Sequence, residues 1–534
     1  MKYPIGIQSF ESIIEGGYVY VDKTALIHRM MCEGKSYFLS RPRRFGKSLL
    51  VSTLECFFRG RRELFRGLAI DEMETGWQAS PVLHMDLNSC DFTVPGSLEA
   101  VLDSYLQTWE KSYGVSVVAS EASQFGLRFK RVISAAREAA GRGVVVLIDE
   151  YDKPILDVMD GCPPANLSHG LSLEDRNRNT LRGFYSALKS ADADLRFVLL
   201  TGVSRFAKVS VFSDLNQLKD ISMTERYETL CGISQHEVDT VFADSVAHMA
   251  SCRGETPQLM SRLLKERYDG YHFSKRMTDV YNPFSLLNAL QDCELSDYWF
   301  ASGTPSGLVR LLARSDANLQ EMVDRYYDAS QIETYRVSSR NPLPLILQSG
   351  YLTLASYNPQ IEAFTLKIPN KEVERGFLTL VADNYLDVSE GCTFGLIQKT
   401  VMSLSAGRIE DFRIGLTAFL SSIPYHVRRK SDEREKERYF QYTIYLLLRI
   451  ASTYMVLIEK PSSRGRADCV VETTSFVYIF EFKLDGSANE ALRQIDACGY
   501  ADPYAADHRS LFKVGVSFSS RSGSIDGWNA IRVR

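Results

Sequence analysis

The sequence lacks the patterns that mark secreted, zinc-binding and membrane proteins. Its 10 cysteines include no CxxC pair and its 8 histidines form no HExxH motif, which argues against a disulfide framework, a zinc ribbon and a helical zinc site. The longest apolar runs, such as Val144–Ile148, hold about five residues, whereas a membrane helix needs roughly 20. Met1–Gly6 carries no apolar secretory segment. These absences predict a cytoplasmic chain with reduced thiols and no membrane partner.

The composition is that of a globular chain with several cores. The 534 residues are 45% hydrophobic, 24% charged and 11% aromatic, and this length predicts roughly three or four domains. The net charge is −4, although residues 391–534 hold 20 Lys and Arg against 16 Asp and Glu. So weak a basic bias fits phosphate contacts or an ordinary solvated surface.

The order of apolar and helical segments predicts an α/β fold. Residues 1–230 alternate buried strands with helices, as parallel sheets do. Residues 231–340 have helical periodicity, 341–390 read as a small winged-helix-like unit, and 391–534 end in a helix, strand, strand, helix and strand. The predicted elements are strands Ser36–Ser40, Pro81–Leu87, Val144–Asp149, Leu195–Thr201, Tyr351–Tyr357 and Ala363–Ile368, and helices Lys47–Phe58, Ser97–Tyr113 and Leu343–Ser349.

A phosphate-binding loop is predicted between the first strand and the helix that follows it. Gly46 lets the backbone approach phosphates, and the helix N-terminus directs amide donors at them. Lys47 would reach the β- and γ-phosphates and Ser48 would ligate Mg²⁺. Arg41 stands where such loops usually have glycine, so it and its neighbouring arginines would add positive charge near the phosphates. The predicted nucleotide contacts here are Arg43, Arg44, Phe45, Gly46, Lys47, Ser48 and Leu49.

Two further strands are expected to bring polar side chains to the same sheet edge. Asp149 and Glu150 end a strongly apolar strand, where Asp149 would bind Mg²⁺ and Glu150 would act on the attacking water. Thr201 or Ser204 would contact the γ-phosphate or the water. Arg205 would supply positive charge in the transition state, within the chain or to a neighbouring subunit of a homo-oligomer, or it is simply a surface arginine.

These motifs resemble those of the predicted AAA-type ATPase-like proteins of bacteria. The matching segments are Ile5–Phe10, Tyr20–Thr24, Phe38–Ser48, Leu147–Pro154, Thr201–Phe206, Tyr268–Phe273, Tyr281–Phe284 and Gln348–Thr353. The resemblance implies a P-loop domain of the ASCE/AAA type that binds ATP, with Arg41 as part of the family's own loop. It also implies that Tyr20–Lys23 contacts the base, although Tyr20 would serve equally well in an aromatic core.

A second chemical motif lies near the C-terminus. Asp468 begins one predicted antiparallel strand, and Glu481 and Lys483 lie two apart on the next, so they share a face. Buried charges are costly unless they are paired or bind metal. Asp468 and Glu481 would hold Mg²⁺, or alternatively Mn²⁺, with Lys483 orienting water or stabilising charge. The other interpretation is a surface strand with a salt bridge.

This arrangement resembles the PD-(D/E)XK nuclease superfamily, to which the ATPase-like family is often fused. The resemblance implies a C-terminal α/β nuclease-like domain in which Asp468, Glu481 and Lys483 are catalytic. It adds Glu437 as an outer metal ligand and Gln494 as a contact at the edge of the site. Because Glu437 lies in a charge-rich run, a solvated helix face explains it equally well.

Two functions follow from these motifs. The first is an ATP-binding, ATP-hydrolysing protein that regulates a metal-dependent nuclease acting on DNA or RNA, with DNA favoured, and by analogy serving in defence against foreign nucleic acid. The second is an ATP-dependent signalling or scaffold protein whose nuclease-like domain binds nucleic acid or partners without cleavage. A third reading is a nucleotide-dependent transcription factor that uses the winged-helix-like unit.

Overall fold

The computed structural model divides the chain into two compact units, residues 1–374 and 375–534. The residues it describes are 1–159, 171–205, 217–299, 322–323, 325–333, 343–376, 400–422, 455–462, 465–522 and 524–533. In this described part, no helix combines the length and apolar character that crossing a bilayer requires. The division into four segments stays a prediction.

The first unit is built on a five-stranded parallel sheet. Its strands are β1 (Ser36–Ser40), β2 (Val82–Asp86), β3 (Val144–Asp149), β4 (Leu195–Gly202) and β5 (Lys219–Asp220). Their order is β2-β3-β4-β1-β5, and every neighbouring pair is parallel. All residues of β1 and β3 are buried, as expected of central strands covered on both faces. The predicted parallel sheet is therefore confirmed.

Two helices precede these strands, crossover helices connect them, and more helices follow the sheet. They are α1 (Phe10–Glu15), α2 (Thr24–Glu33), α3 (Lys47–Phe58), α4 (Ala69–Met73), α5 (Ser97–Tyr113), α6 (Phe125–Ala140), α7 (Lys153–Leu156), α8 (Leu173–Ser190), α9 (Gln235–Val241), α10 (Ala243–Arg253), α11 (Pro257–Tyr268) and α12 (Pro283–Asp292). Helices α9–α12 share an apolar core that includes Phe242, Met260 and Leu286. The two-residue strands β6 (Ile233–Ser234) and β7 (Val280–Tyr281) pair beside it.

The last part of the first unit contains the helix and the two strands predicted for a winged-helix-like unit, preceded by a two-residue strand and a short helix that were not predicted. They are β8 (Tyr327–Asp328), α13 (Ala329–Glu333), α14 (Leu343–Gln348), β9 (Thr353–Asn358) and β10 (Ala363–Lys367). Strand β10 pairs antiparallel with both β8 and β9. The helix and the two longer strands match their predicted bounds closely, while a winged-helix role stays a prediction.

The second unit is a mixed sheet with helix α16 packed on one face. The elements are α15 (Ile409–Ser422), β11 (Met455–Ser462), β12 (Gly465–Glu472), β13 (Phe476–Leu484), α16 (Ala488–Ala497), β14 (Ser510–Phe518) and β15 (Ile525–Arg532). The strands lie in chain order, and β13 and β14, joined through α16, are parallel. Strands β11 and β15 were not predicted. Strand β15 is a polar edge strand in which the alternation of apolar and polar residues is weak.

Candidate nucleotide and metal sites

The phosphate loop between β1 and α3 contains a glycine whose backbone conformation other residues rarely adopt. Gly46 has a φ of 90°, in the left-handed region, and is the N-cap of α3. A side chain there would be strained, and the space beside Gly46 is open. The amide end of the 12-residue helix α3 therefore lies at an accessible loop, as an anion site requires.

Strand order explains how Lys47 and the acidic pair come together. Strand β4 separates β1 from β3, so the carboxyl ends of all three strands meet at one sheet edge. The Lys47 ammonium donates to the carbonyl oxygen of Arg41 at 3.1 Å and lies 3.5 Å from Glu150 Oε1. The Thr201 hydroxyl and the Glu150 amide both donate to Asp149 Oδ1. Four predicted residues, Lys47, Asp149, Glu150 and Thr201, thus lie at this edge and are linked by these contacts.

A cavity of about 360 Å³ opens at this point. Its lining includes loop residues, Glu150 with the nearby Lys153, and the first turn of α12: Arg43, Arg44, Gly46, Lys47, Ser48, Leu49, Glu150, Lys153, Pro283 and Phe284. Asp149, the residue before Glu150, lies outside this lining. The α12 residues were not assigned a role from the sequence. The sequence feature that could have indicated them is Asn282, the N-cap of α12. Its side chain accepts hydrogen bonds from the amides of Phe284 and Ser285 and so fixes the start of α12 at this edge.

Arg41 does not add charge to the phosphate loop, and that expectation is corrected. Its side chain is buried, and its guanidinium donates to the carbonyls of Ser40, Ser222 and Tyr227 at 2.9, 2.7 and 3.1 Å. It also stacks 4.2 Å from the ring centroid of Phe273. Burial lowers the pKa of Arg41 to about 10. The arginine holds the loop to neighbouring segments, while Arg43 and Arg44 line the cavity.

Phe45 and Arg205 lie outside that cavity lining. Phe45 is buried, with its ring 4.8 Å from that of Tyr271. Arg205 forms an ion pair with Asp220 on β5 at 2.8 Å, and its backbone amide donates to Gln348 at 2.7 Å. A contact between Arg205 and nucleotide would require the guanidinium to leave Asp220.

A smaller apolar cavity of about 100 Å³ adjoins the first through Gly46, Leu49 and Pro283. Tyr20, Val21 and Phe45 line it. Burial raises the pKa of Tyr20 well above its ordinary value, and a hydrogen bond with Thr53 opposes that rise. Tyr20 therefore lies in a buried aromatic environment and also borders the apolar cavity next to the phosphate loop.

Asp152 lies three residues after Asp149, in the turn that follows β3. This fully buried carboxylate accepts hydrogen bonds from the amide and hydroxyl of Ser204. Burial, followed by the nearby Glu150 charge, raises the pKa of Asp152 to about 6. Asp152 ties the end of β4 to the turn after β3 and so positions the acidic pair.

In the second unit, β12 and β13 bring the predicted carboxylates together. Asp468 Oδ2 accepts from the backbone amide of Phe482 at 2.7 Å. Glu481 is 1% exposed, and its Oε1 lies 3.6 Å from Lys483 Nζ. The Lys483 ammonium donates to Gln494 Oε1 on α16 at 2.6 Å. The structure therefore places Gln494 as the partner that orients Lys483.

The donor set suits a divalent cation. Glu481 Oε2 is buried and has no hydrogen-bond partner in the described part of the chain. Burial, then the Asp468 charge, raises the pKa of Glu481 to about 8, whereas Lys483 opposes the rise. A buried carboxylate oxygen beside a second carboxylate is the oxygen-rich environment that Mg²⁺ or Mn²⁺ prefers. The predicted outer ligand Glu437 lies outside the described residues.

Comparisons with known proteins give a family match within each unit. Residues 4–212 match the family model described as predicted AAA-ATPase, and residues 435–528 match that of the PD-(D/E)XK nuclease superfamily. A protein of Azotobacter chroococcum mcd 1, described as "Uncharacterized protein in vnfD 5'region", is 36% identical over 533 residues, which cover 99% of this chain and 98% of that protein. The chain therefore belongs to the predicted AAA-ATPase family, in a form that ends in a PD-(D/E)XK nuclease-superfamily domain.

Proposed function

We propose that this protein binds and hydrolyses ATP and thereby regulates a metal-dependent nuclease in its C-terminal unit, with DNA as the favoured substrate. The observation that supports the proposal is that the predicted groups come together in each of the two units. Lys47 and Glu150 lie 3.5 Å apart at a phosphate loop, and Asp468, Glu481 and Lys483 converge on one strand pair.

At the first site, each side chain has a distinct role. Ser48 and Asp149 would hold Mg²⁺, which neutralises phosphate charge when bound. Lys47 would exchange its contacts with loop carbonyls for the β- and γ-phosphate oxygens. Glu150 would orient the attacking water, and Thr201 would fix the carboxylate of Asp149 through its hydroxyl. The apolar cavity beside Tyr20 would receive the base.

At the second site, Asp468 and Glu481 would hold Mg²⁺ or Mn²⁺, which activates water and stabilises negative charge on a phosphodiester. Lys483, held by Gln494, would stabilise the charge that develops on the reacting phosphate. Burial of Glu481 supports this role, because its Oε2 atom is buried without a hydrogen-bond partner among the described residues, and a cation would offset that cost. Retention of such a costly group favours cleavage over binding alone.

A cleavage assay tests this proposal. Supercoiled plasmid and single-stranded RNA are incubated with protein and Mg²⁺ or Mn²⁺, with and without ATP. Glu481→Gln should lower cleavage at least about 100-fold, because it removes a metal ligand with little change in shape. Asp496→Asn is the matched control, since this carboxylate of α16 is exposed and pairs with Lys513 outside the site. Equal cleavage by the native protein and Glu481→Gln contradicts the proposal.

Regulation is tested by a separate variant. Lys47→Met should abolish ATP hydrolysis and remove the ATP dependence of cleavage, and Lys35→Met, at an exposed ion pair, should change neither. ATP hydrolysis without cleavage of any nucleic acid would support the scaffold function instead. Footprinting of duplex DNA without cutting would support the transcription-factor reading.

The cellular part of the proposal is defence against foreign nucleic acid, in the cytoplasm, with a homo-oligomer as the working form. Phage plaque counts and plasmid uptake in a deletion strain test the defence role. Unchanged plaque counts together with unchanged plasmid uptake would contradict the defence role. Light scattering with and without ATP tests whether the protein forms an oligomer.

A further inference from the structure

Two cysteines and a histidine that are distant in sequence meet on the helical part of the first unit. His248, Cys252 and Cys293 each direct one ligand atom to a common point, and these atoms all lie within 4.8 Å of one another. The Cys252 sulfur is 3.7 Å from His248 Nε2. Neither the nucleotide site nor the nuclease site uses these residues.

Helix geometry fixes two of the three ligands. His248 and Cys252 are four residues apart on α10, so their side chains lie one above the other on the same face. The cluster is solvent-accessible, with His248 and Cys252 exposed and Cys293 half-buried. A cation from solution can therefore reach the site, and a fourth ligand position is open to water.

The third ligand occupies a position where cysteine is unusual. Cys293 is the C-cap of α12 and has a φ of 54°, in the left-handed region. Glycine or asparagine normally takes this position, because a side chain there is strained. Cysteine at this cap directs its sulfur toward α10, which a glycine could not do.

We propose that His248, Cys252 and Cys293 bind a zinc ion that ties the end of α10 to the end of α12. Two thiolates and one imidazole are the soft donor set that zinc favours over the oxygen-seeking Mg²⁺. Ligands about 2.0 to 2.3 Å from zinc are separated from one another by roughly 3.3 to 3.8 Å. The sulfur–imidazole separation already has this size, and the remaining ligand atoms need only a small closing movement.

The position of the site gives it a structural consequence. Helix α12 begins at Pro283 beside the phosphate loop and ends at Asp292, with Cys293 as its C-cap. Zinc at its far end would anchor this helix to α10 and so hold the wall of the nucleotide cavity. The chain also contains a partial copy of the motif on α2, where Cys32 lies 3.8 Å from His28 Nε2 with Glu74 nearby instead of a second thiol.

Cobalt titration of the full-length protein tests this site. Protein is stripped with chelator, kept reduced and anaerobic, and titrated with Co²⁺, whose thiolate complexes have intense near-ultraviolet absorption. We expect about one such site per chain, displaced by Zn²⁺ but not by Mg²⁺. Cys252→Ser and Cys293→Gly should lose the absorption, while Cys32→Ser, in the partial copy, should keep it.

Cys293→Gly separates metal binding from folding. Because glycine suits a left-handed cap, this variant should melt in chelator at or above the temperature of the native protein, yet gain no melting temperature from Zn²⁺. Three results would overturn the proposal: retained cobalt absorption in Cys293→Gly, zinc binding by the native protein weaker than about 1 μM, or a Cys252–Cys293 disulfide in anaerobically reduced protein.

Discussion

Neighbouring arginines of the phosphate loop have opposite environments. The guanidinium of Arg41 is buried and donates to three backbone carbonyls, including those of Ser222 and Tyr227, whereas Arg43 lines the nucleotide cavity. A buried charge with good partners holds its neighbours in place, but an accessible one is free to meet a ligand. The same residue type therefore supports the fold at one position and phosphate binding at another.

This contrast predicts different effects of one substitution. Arg41→Met should lower the free energy of unfolding by about 3 kcal/mol, because the carbonyls it bonds lose a buried donor. Arg43→Met should change stability by less than about 0.5 kcal/mol and weaken ATP binding at least tenfold. Urea unfolding and calorimetric titration measure the two effects. Similar stability losses in both variants would contradict the assignment.

Close approach of a helix to a strand positions Gln494 in the second unit. At Gly515 on β14, an added Cβ atom would lie 2.1 Å from the carbonyl oxygen of Ala488 in the first turn of α16. Ser487 caps this helix and forms a capping box with Glu490. The helix cap and the close contact at Gly515 together fix the position of α16 on the sheet. They therefore fix the position at which Gln494 meets Lys483.

Enlarging that glycine should therefore displace the helix. Gly515→Ala is expected to destabilise the protein by about 3 kcal/mol and to lower cleavage, since Lys483 loses its orienting partner. Gly183→Ala on α8 is the control, because an added Cβ there meets nothing within 4 Å and should stabilise by about 0.5 to 1 kcal/mol. Thermal unfolding of both variants measures these changes in stability. Unchanged stability of Gly515→Ala would contradict the close packing of α16 on β14.

A second element-scale contact links a buried carboxyl to the phosphate loop. Glu372 Oε1 accepts from the Trp299 amide at 2.7 Å, and the indole of Trp299 donates to the Arg43 carbonyl at 3.1 Å. Burial is the main cause that raises the pKa of Glu372 to about 7. The carboxyl is therefore neutral in the folded protein under conditions where it would ionise in the unfolded chain.

The sign of the pH dependence follows from this raised pKa. Stability from neutral Glu372 is fully present below its ordinary pKa and is lost as pH rises through about 7. Glu372→Gln should remove this loss, which amounts to at most about 3 kcal/mol. We expect the variant to gain stability over the native protein from about pH 5 to about pH 8 in urea unfolding. Parallel profiles for the two proteins would show that Glu372 ionises normally.

At the scale of the whole molecule, the two units have separate apolar cores, one around α9–α12 and one between α16 and its sheet. Each unit also carries its own site, so each ligand should stabilise the unit that binds it. Stabilisation grows with ligand concentration, reaching about 2.7 kcal/mol at 100 times the Kd.

Calorimetry of the full chain tests this separation. A non-hydrolysable ATP analogue with Mg²⁺ should raise one unfolding transition by several degrees, and Mn²⁺ alone should raise another. Lys47→Met should remove the first shift and Glu481→Gln the second. A single transition that both ligands raise would contradict independent units.

Local sequence determined the elements and the types of chemistry. The apolar runs of β1 and β3, the glycine before Lys47 and the alternation around Glu481 depend on backbone geometry and on period-two or helical spacing, which neighbouring residues dictate. For that reason most strands of the two five-stranded sheets, the phosphate loop and the Asp468, Glu481 and Lys483 set could be named in advance.

Tertiary structure decided what depends on partners distant in sequence. It turned Arg41 inward onto carbonyls of residues 222 and 227, paired Arg205 with Asp220 and brought Cys293 to His248 and Cys252. Spacing along the chain carries no information about such meetings, because they arise only when separate helices and strands pack against one another. A side chain's charge or sulfur is a property of the sequence, but the atom it faces is a property of the fold.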